Sequence, residues 1–327
     1  MSRPHVADLP PPPAAGVQGG DGKGGASLFR WLGSWVVDPR DEAADPHEID
    51  WVRVVPFLAI HVAGVAALFT TWSPFVVLFA VGFYVVRMFA ITAFYHRYFS
   101  HRTFQASRPV QFLFALLGAT AVQRGPLWWA AHHREHHRHS DAEGDIHSPV
   151  VESFWWSHVG WILARRNFRT KTELVPDLMR FPELRFLDRY DSLVPLLMIP
   201  GLYGLGAALE AWAPGLGTSG LHLVLWGCLS TVVLYHVTFC INSMAHRLGS
   251  RPYETKDRSR NNLILALLTF GEGWHNNHHR YPASARQGFL WWELDLSYAT
   301  LRVMQGLGLV SGLRPVPARI LDERRGA

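Results

Sequence analysis

Apolar residues along this chain are concentrated in four long blocks, which cover about residues 54–72, 73–95, 192–213 and 220–241. They do not follow the spacing of a surface helix with one buried face. Each block approaches or exceeds the length of about 20 residues that an α-helix needs to cross a bilayer. The pattern therefore predicts four transmembrane helices, and the short links at residues 71–74 and 214–219 predict that these form two hairpins.

The polar segments between the blocks indicate how these helices are oriented. The two links carry no basic residue, whereas the stretch from His96 to Arg189 carries thirteen arginines and lysines. The positive-inside bias predicts that this stretch and both termini lie in the cytosol. Within it, residues 109–122 are apolar but too short to span, so we expect them to lie in the membrane interface.

The ends of the chain differ from this membrane domain, which we expect to cover residues 29–310. Residues 1–28 are rich in proline and glycine and lack the apolar stretch of a signal peptide, which predicts a disordered segment. Residues 311–327 include the charged run LDERR and are expected to form a solvated tail. The chain as a whole is 49% hydrophobic and 17% charged, with a formal net charge of +5. This composition fits a membrane protein with a basic aqueous face.

Four polar motifs carry the candidate chemistry, namely HRYFSH (His96 and His101), HREHH (His133, His136 and His137), NSMAH (Asn242 and His246) and HNNHH (His275, His278 and His279). In HREHH and HNNHH, histidines at i, i+3 and i+4 project from one face of a helix, so their rings can converge on metal ions. HRYFSH is different, because five residues rotate by about 140° around an ideal α-helix. We therefore expect its first histidine in the last turn of a helix and its second beyond the end.

The nine histidines of these motifs are too many for one closed site of about four ligands, so two metal ions are expected. Cys228 and Cys240 lie inside one apolar block and offer no thiolate ligands. Imidazole ligands with open positions favour iron, with zinc as the alternative. Nucleic-acid binding is not expected, because neutral imidazole supplies little lasting positive charge. Four isolated histidines are interpreted as packing or hydrogen-bonding residues, namely His61, His158, His222 and His236.

The motifs occur in a fixed order between about Arg87 and Leu290, as HRYFSHRTF, HREHH, SHVGWILARR, INSMAHRLGSRPY and GEGWHNNHHRYP. In this the chain resembles the membrane-bound fatty acyl desaturases of the stearoyl-CoA (Δ9) type. The resemblance implies an all-α integral membrane protein, with four transmembrane helices below a cytosolic helical cap. It also implies two iron ions in the cap, molecular oxygen as co-substrate, and electrons from a separate carrier.

The resemblance also implies a role for each histidine. It assigns five ligands to one iron, namely His96, His101, His133, His137 and His279. It assigns four to the other, namely His136, His246, His275 and His278, with Asn242 reaching that ion through water. His132 and His139 fall outside the family pattern.

Two acidic residues beside the motifs are candidates for orienting the imidazoles. Asp145 in GDIH and Glu272 in GEGWH could each accept a hydrogen bond from a metal-bound ring and fix its tautomer. A helix cap or a surface charge is the alternative role for either residue.

Substrate contacts are likewise implied by the resemblance. A long, bent apolar channel must hold two neighbouring methylenes beside the oxidant. The family residues that set the bend match Gln123, Trp129 and Thr238, which favours desaturation near the middle of the chain. Arg165 and Arg166 match positions that contact head-group phosphates, for which paired guanidinium groups are suited.

One segment departs from the animal enzymes. RGPLWWAAH, residues 124–132, stands where they carry a polar and charged run, so an acyl carrier protein or a lipid could replace CoA as the acyl carrier. The sequence contains no heme-binding segment of the HPGG type, so the electron donor is expected to be external and acidic: a ferredoxin, a rubredoxin or a cytochrome b5.

The prediction is therefore an oxygen-dependent desaturase that introduces a cis double bond, expected at Δ9, into a saturated long-chain acyl thioester. Hydroxylation of the same alkyl chain is the alternative reaction. A non-catalytic metal-binding or transporting membrane protein is the alternative of another class. A transporter would require polar residues aligned inside the spans. Arg87 and Glu210 are the only Asp, Glu, Lys or Arg residues within the four apolar blocks.

Overall fold

The computed structural model of the protein describes Trp35 and residues 44–325, and these are mostly helical. The segment predicted to be disordered, residues 1–28, lies outside the described residues. The α-helices are α1 (Trp51–Ala67), α2 (Pro74–Phe89), α3 (Arg108–Ala119), α4 (Pro126–His139), α5 (Trp161–Leu163), α6 (Pro182–Arg189), α7 (Leu193–Trp212), α8 (Gly220–Ser243), α9 (Leu263–Leu268), α10 (His275–Arg280), α11 (Leu296–Gly306) and α12 (Ala318–Arg325). Two π-helices cover Ala90–Ser100 and Trp156–Gly160, and 3-10 helices cover Arg165–Asn167, Thr172–Leu174 and Pro214–Leu216. Strands β1 (Gln105–Ala106) and β2 (Val310–Ser311) pair antiparallel.

Three helices of the described chain are long and apolar enough to cross a membrane, namely Pro74–Ser100, Leu193–Trp212 and Pro214–Ser243. The block predicted as the first span forms only the 17-residue helix α1. It stops at Ala67, where the Thr70 hydroxyl donates to the Ala67 carbonyl at 2.6 Å and closes the last turn. The second block continues beyond its predicted end, because the chain remains helical to Ser100. The short segment predicted for the interface forms α3.

Helix α8 is the centre of the helix bundle. Helices α1, α2 and α7 each pack mainly against it, so α1 and α2 are not the close hairpin that their short link predicted. Small residues make the contact close, as is common between membrane helices. A Cβ added to Gly64 of α1 would meet the Leu229 Cα of α8 at 3.2 Å. Gly64 thus lets α1 approach α8 closely, a pairing that the length of the link between α1 and α2 did not predict.

Arg87 connects α2 to α8 in the apolar part of the bundle. Its side chain is fully buried and donates to the hydroxyls of Ser230 and Thr231, each at 2.7 Å. It also donates to the carbonyl of Thr120 at the end of α3 at 3.2 Å. A buried guanidinium satisfied in this way ties the end of α3 to α2 and α8.

The segment from Leu313 onward is not a solvated tail over the residues that the structure describes. Ile320 of α12 is fully buried against Tyr253 and Phe289. The Arg324 guanidinium also bonds the buried Glu293 carboxylate at 2.5 Å. The prediction was wrong because it rested on the charges of LDERR alone, whereas Ile320 beside them is buried and Arg324 reaches a buried carboxylate. The C-terminal segment therefore helps to hold the cap together.

Candidate metal centre

Nine histidines come together in two groups, and each residue offers one ring nitrogen. The first group consists of His96, His101, His133, His137 and His278, and the second of His136, His246, His275 and His279. Within each group the nitrogens lie within 4.8 Å of one another. Opposite donors around one ion with bonds of about 2.1 Å lie about 4 Å apart, so each group has the dimensions of one metal site.

The π-helix Ala90–Ser100 brings the two histidines of HRYFSH together. An α-helix would separate their rings around its axis, but a π-helix bonds residues five apart and stacks them on one face. The amide of His101 donates to the His96 carbonyl at 3.2 Å, and the ring centroids lie 4.9 Å apart. His101 lies just past the helix end, as predicted. The 140° rotation of an ideal α-helix predicted that the two rings cannot lie on one stripe, and this prediction was wrong because the segment is a π-helix.

The two HxxHH motifs each serve both groups. In α4, His133 and His137 are four residues apart and point to the first group, while His136 between them points to the second. In α10 the pattern is reversed: His275 and His279 point to the second group. Residues at i and i+4 share a face and the residue at i+3 lies beside it, so one helix can divide its ligands between two sites.

This arrangement corrects the partition implied by the resemblance. His278 belongs with the first group, its Nε2 lying 3.1 Å from the Nε2 of His96 and 3.0 Å from that of His137. His279 belongs with the second. The two residues were exchanged because they are neighbours in sequence, and only the direction of α10 decides which ring faces which group.

Carboxylates contact the Nδ1 atoms of four of these imidazole rings. Nδ1 of His136 lies 3.0 Å from Asp145, and Nδ1 of His96 contacts Glu272, the two acidic residues singled out in the sequence. Two more carboxylates were missed. Asp141 lies 2.8 Å from Nδ1 of His246, and Asp257 lies 2.7 Å from Nδ1 of His279. Asp141 follows HREHH by four residues and could have been suspected, whereas Asp257 follows no motif spacing.

Burial keeps most of these imidazoles neutral. It lowers the pKa of His101, His133, His137, His275 and His278 well below the usual value, and neighbouring imidazoles add to the effect. Burial would raise the pKa of the Asp145 carboxyl, but the adjacent His136 outweighs it and holds that pKa below its usual range. Neutral imidazole beside an ionised carboxylate is the state that binds a cation.

The histidines fit metal ions because the lone pairs of their ring nitrogens converge. A ring whose Nδ1–H donates to a carboxylate presents an unprotonated Nε2 on its other side. His136, His246 and His279 all have this arrangement. Nε2 of His246 faces Nε2 of His275 at 3.0 Å, and Nε2 of His279 is buried without a hydrogen-bond partner. Converging lone pairs repel one another unless a cation lies between them, so the second group has the chemistry of a metal site.

Replacing Asp257 with Asn should weaken metal binding by about 10- to 100-fold. The neutral side-chain amide of Asn would neither fix the tautomer of His279 nor raise the basicity of its ring, as the carboxylate does. Chelator competition followed by elemental analysis measures this affinity. Glu254→Gln is the control, since Glu254 is exposed on the same loop and contacts no imidazole of the described residues. Equal metal affinity in both variants would mean that Asp257 does not support a ligand.

Two cavities open beside the histidines and share a wall. One is lined by Gln123, Trp128, Trp129, His132, His133, His147, Trp161, Ile162, Thr238, Phe239 and Asn242. The other is lined by Met88, Ile91, Thr92, His96, Trp129, His133, His136, Thr238, Ile241, Asn242, Thr269, Glu272 and His275. Trp129, His133, Thr238 and Asn242 line both. The two cavities are therefore neighbours beside ligand-type nitrogens, and the second lies between α2 and α8.

The residues predicted to contact substrate lie in different places. Trp129 and Thr238 line both cavities, Gln123 lines the first, and the Gln123 amide donates to the Thr238 hydroxyl at 3.1 Å. Asn242 opens onto both cavities. Arg165 and Arg166 follow Ile162 of the first cavity but do not line it; the Arg165 guanidinium lies 3.0 Å from Glu48, and Arg166 is exposed.

Several histidines outside the two groups have other partners. His132 and His147 line the first cavity, and sequence spacing did not single out His147. Three of the isolated histidines are hydrogen-bonding residues, as predicted. Nε2 of His61 lies 3.1 Å from His236, and Nδ1 of His236 lies 3.0 Å from His158.

Comparison with known proteins gives one consistent family. The family model described as fatty acid desaturase matches residues 28–306. The chain is 35% identical over 276 residues to the icosanoyl-CoA 5-desaturase of Limnanthes douglasii, covering 83% of this chain and 73% of that one. It is 34% identical over 272 residues to the sn-1 stearoyl-lipid 9-desaturase of Anabaena variabilis, covering 82% and 94%. It is 35% identical over 275 residues to the sn-2 palmitoyl-lipid 9-desaturase of Nostoc sp. (strain 36), covering 82% and 91%.

Proposed function

Because the chain belongs to the fatty acid desaturase family, we propose that it introduces a cis double bond at Δ9 of a saturated long-chain acyl group, using two iron ions, O2 and an external electron donor. Acyl-lipid or acyl-CoA desaturation is the activity that the family supports. The observation that supports the finer proposal is the wall that the two cavities share at Trp129, His133 and Thr238, beside ligand-type nitrogens of both groups.

Iron is proposed because the donors are imidazole nitrogens without thiolate, a set that suits iron and leaves positions open. When bound, the two ions supply the reduction of O2 and the oxidant that removes one hydrogen from each of two neighbouring methylenes. We propose the nine histidines as ligands, with Asn242 beside the second ion. The carboxylates of Asp145, Asp141, Asp257 and Glu272 hold the rings in the required tautomer.

The protein side chains contribute by positioning the substrate. An unactivated methylene offers no group to recognise, so the enzyme must select it by where the chain is held. We propose that the Gln123–Thr238 hydrogen bond and the Trp129 ring bend the acyl chain at the junction of the cavities. The methyl end would then lie in the second cavity, against Met88 and Ile91.

The other end of the substrate would lie near the first cavity. Arg165 and Arg166 follow its lining residues on the aqueous side and are proposed to contact a phosphate-bearing head group. Two of the relatives are named as acyl-lipid desaturases and one as an acyl-CoA desaturase, so a lipid-linked acyl chain and acyl-CoA are both substrates to test.

We also propose a multi-pass arrangement with the metal centre and both termini in the cytosol. Helix α1 would act as a fourth span beside the three longer ones. After Arg53 it is apolar except for His61, which bonds His236, and its outward side exposes Val55, Val62 and Val65. A helix at the short end of the spanning range needs only slight local thinning of the bilayer.

The activity is tested by expressing the chain in cells that make only saturated acids and analysing their lipids by gas chromatography and mass spectrometry. We expect a new cis monounsaturated acid with its double bond at Δ9. The purified iron-loaded protein, supplied with ferredoxin and either acyl-CoA or acyl-lipid, identifies the carrier. A hydroxylated acid as sole product would show the alternative reaction, and no O2-dependent product would contradict the proposal.

Replacing Trp129 with Ala should spread the double bond over neighbouring positions, because the wider junction no longer holds one methylene pair beside the ions. Positions are measured by mass spectrometry of dimethyl disulfide adducts. Trp155→Ala is the matched control, since that ring is 71% exposed and lines neither cavity. A single unchanged position in the Trp129 variant would show that this ring does not set the register.

A further inference from the structure

We infer that the loop 255–260, together with the end of α4, is the docking surface where an acidic one-electron carrier protein delivers electrons to the second histidine group. The inference rests on the proposed function and locates the partner on the molecule. It is carried by two observations: short hydrogen-bonded connections from this loop to the imidazoles, and an excess of unpaired positive charge on its outer side.

The connections pass through the two carboxylates that the sequence did not single out. The amide of exposed Arg258 donates to Asp141 at 2.7 Å, and Asp141 bonds Nδ1 of His246 at 2.8 Å. The amide of Ser259 donates to Asp257 at 2.9 Å, and Asp257 bonds Nδ1 of His279 at 2.7 Å. A carrier resting on this loop is therefore separated from two ligands of the second group by one carboxylate each.

The exposed side chains of this surface are mainly basic. Its six cations, exposed or half-buried, are Arg138, Arg247, Arg251, Lys256, Arg258 and Arg260. Arg247, Arg251 and Arg260 bond backbone carbonyls, and for Arg251 also the Thr255 hydroxyl, rather than carboxylates. In the described part of the chain, Arg138, Lys256 and Arg258 form no ion pair. The exposed acidic residues beside them are Glu143 and Glu254, so positive charge dominates.

Another basic region near the centre, with half-buried cations, is neutralised by its own acids. Arg102 and Arg134 share Asp177, each through a contact of 2.7 Å, and Lys171 pairs with Glu135. Cations already paired with carboxylates attract an acidic protein weakly, because the local charges cancel. Arg180, three residues beyond Asp177, is exposed and marks this second region. Charge complementarity therefore favours the 255–260 loop.

The chemistry requires such a partner. Forming the double bond with two waters from O2 consumes two electrons and two protons beyond the two hydrogens lost by the acyl chain. A one-electron carrier must therefore dock twice in each turnover and leave after each transfer. A charged, solvent-exposed surface suits this, because it speeds encounter without slowing release.

The test uses iron-loaded protein in nanodiscs of neutral phosphatidylcholine and plant-type [2Fe–2S] ferredoxin as the probe. The variant is Lys256→Glu with Arg258→Glu, which reverses two free side chains and keeps the Arg258 amide. Arg180→Glu is the control from the other basic region. Ferredoxin binding is measured by surface plasmon resonance at low and physiological ionic strength. Single-turnover desaturation after chemical reduction, and iron content, are measured on the same samples.

We expect the double reversal to weaken ferredoxin binding about tenfold at low ionic strength and to flatten its salt dependence, with Arg180→Glu changing it less than about twofold. Iron content and single-turnover yield should match wild type. Equal weakening by Arg180→Glu, or ferredoxin binding that the double reversal leaves unchanged, would overturn the inference while leaving desaturation intact. Wild-type protein that forms no product even after chemical reduction would overturn the proposed function as well.

Discussion

Replacing His136 with Ala should abolish desaturation, lowering product formation by at least about 100-fold. His136 is buried in the last turn of α4, and its ring belongs to the second group while its neighbours His133 and His137 belong to the first. Loss of the ring removes a ligand and leaves the Asp145 carboxylate buried without its main partner. Removing a supporting carboxylate alone costs about 10- to 100-fold in such sites, so loss of the ligand itself should cost more.

The experiment compares His136→Ala with His139→Ala at the exposed end of the same helix. Product is measured by gas chromatography of cellular lipids, and iron by elemental analysis of purified protein. We expect His136→Ala to retain less than half of the wild-type iron and His139→Ala to match wild type in both measurements. Wild-type amounts of product from the His136 variant would show that the second group does not take part in the reaction.

Replacing Arg97 with Met should lower the free energy of unfolding by about 3–5 kcal/mol, the typical cost of breaking a buried ion pair from one side. Arg97 is 1% exposed and donates to Glu272 at 2.9 Å, to Asp295 at 2.9 Å and to the Ala285 carbonyl at 2.9 Å. Without it two buried carboxylates lose their cation. One of them, Glu272, also bonds Nδ1 of His96, so iron retention should fall together with stability.

Arg102→Met is the matched control. Arg102 pairs with Asp177, and both side chains are about one-third exposed (32% and 37%), so the expected cost is at most about 1 kcal/mol. Unfolding is followed by thermal denaturation in detergent with and without a chelator. Similar stability losses in the two variants would mean that the Arg97 network contributes no more than a surface pair. A loss that the chelator removes entirely would assign the effect to the metal rather than to the ion pairs.

Membrane segments were predictable from the sequence because their signal is local. Long apolar runs identified α2, α7 and α8, and helical spacing identified the faces of HREHH and HNNHH. The prediction was less accurate where length was marginal. The block at residues 54–72 forms a helix of 17 residues, because its polar end is used to close the last turn. The prediction also missed packing partners, since contacts of Gly64 with α8 depend on residues about 165 positions away.

Residue types alone determined that this chain gathers imidazoles, because nine histidines at helical spacings beside apolar spans have few other uses. The sequence could not assign each ring to a group, because His278 and His279 are neighbours and only the direction of α10 separates their rings. The π-helix that brings His96 and His101 together also depends on surrounding packing, because no local sequence pattern requires backbone hydrogen bonds between residues five apart. Asp141 and Asp257 became functional residues only through folding, which carries them from loops to the Nδ1 atoms of His246 and His279. Composition and periodicity thus determine the kind of chemistry, whereas distances across the fold decide how each ligand is oriented and supported.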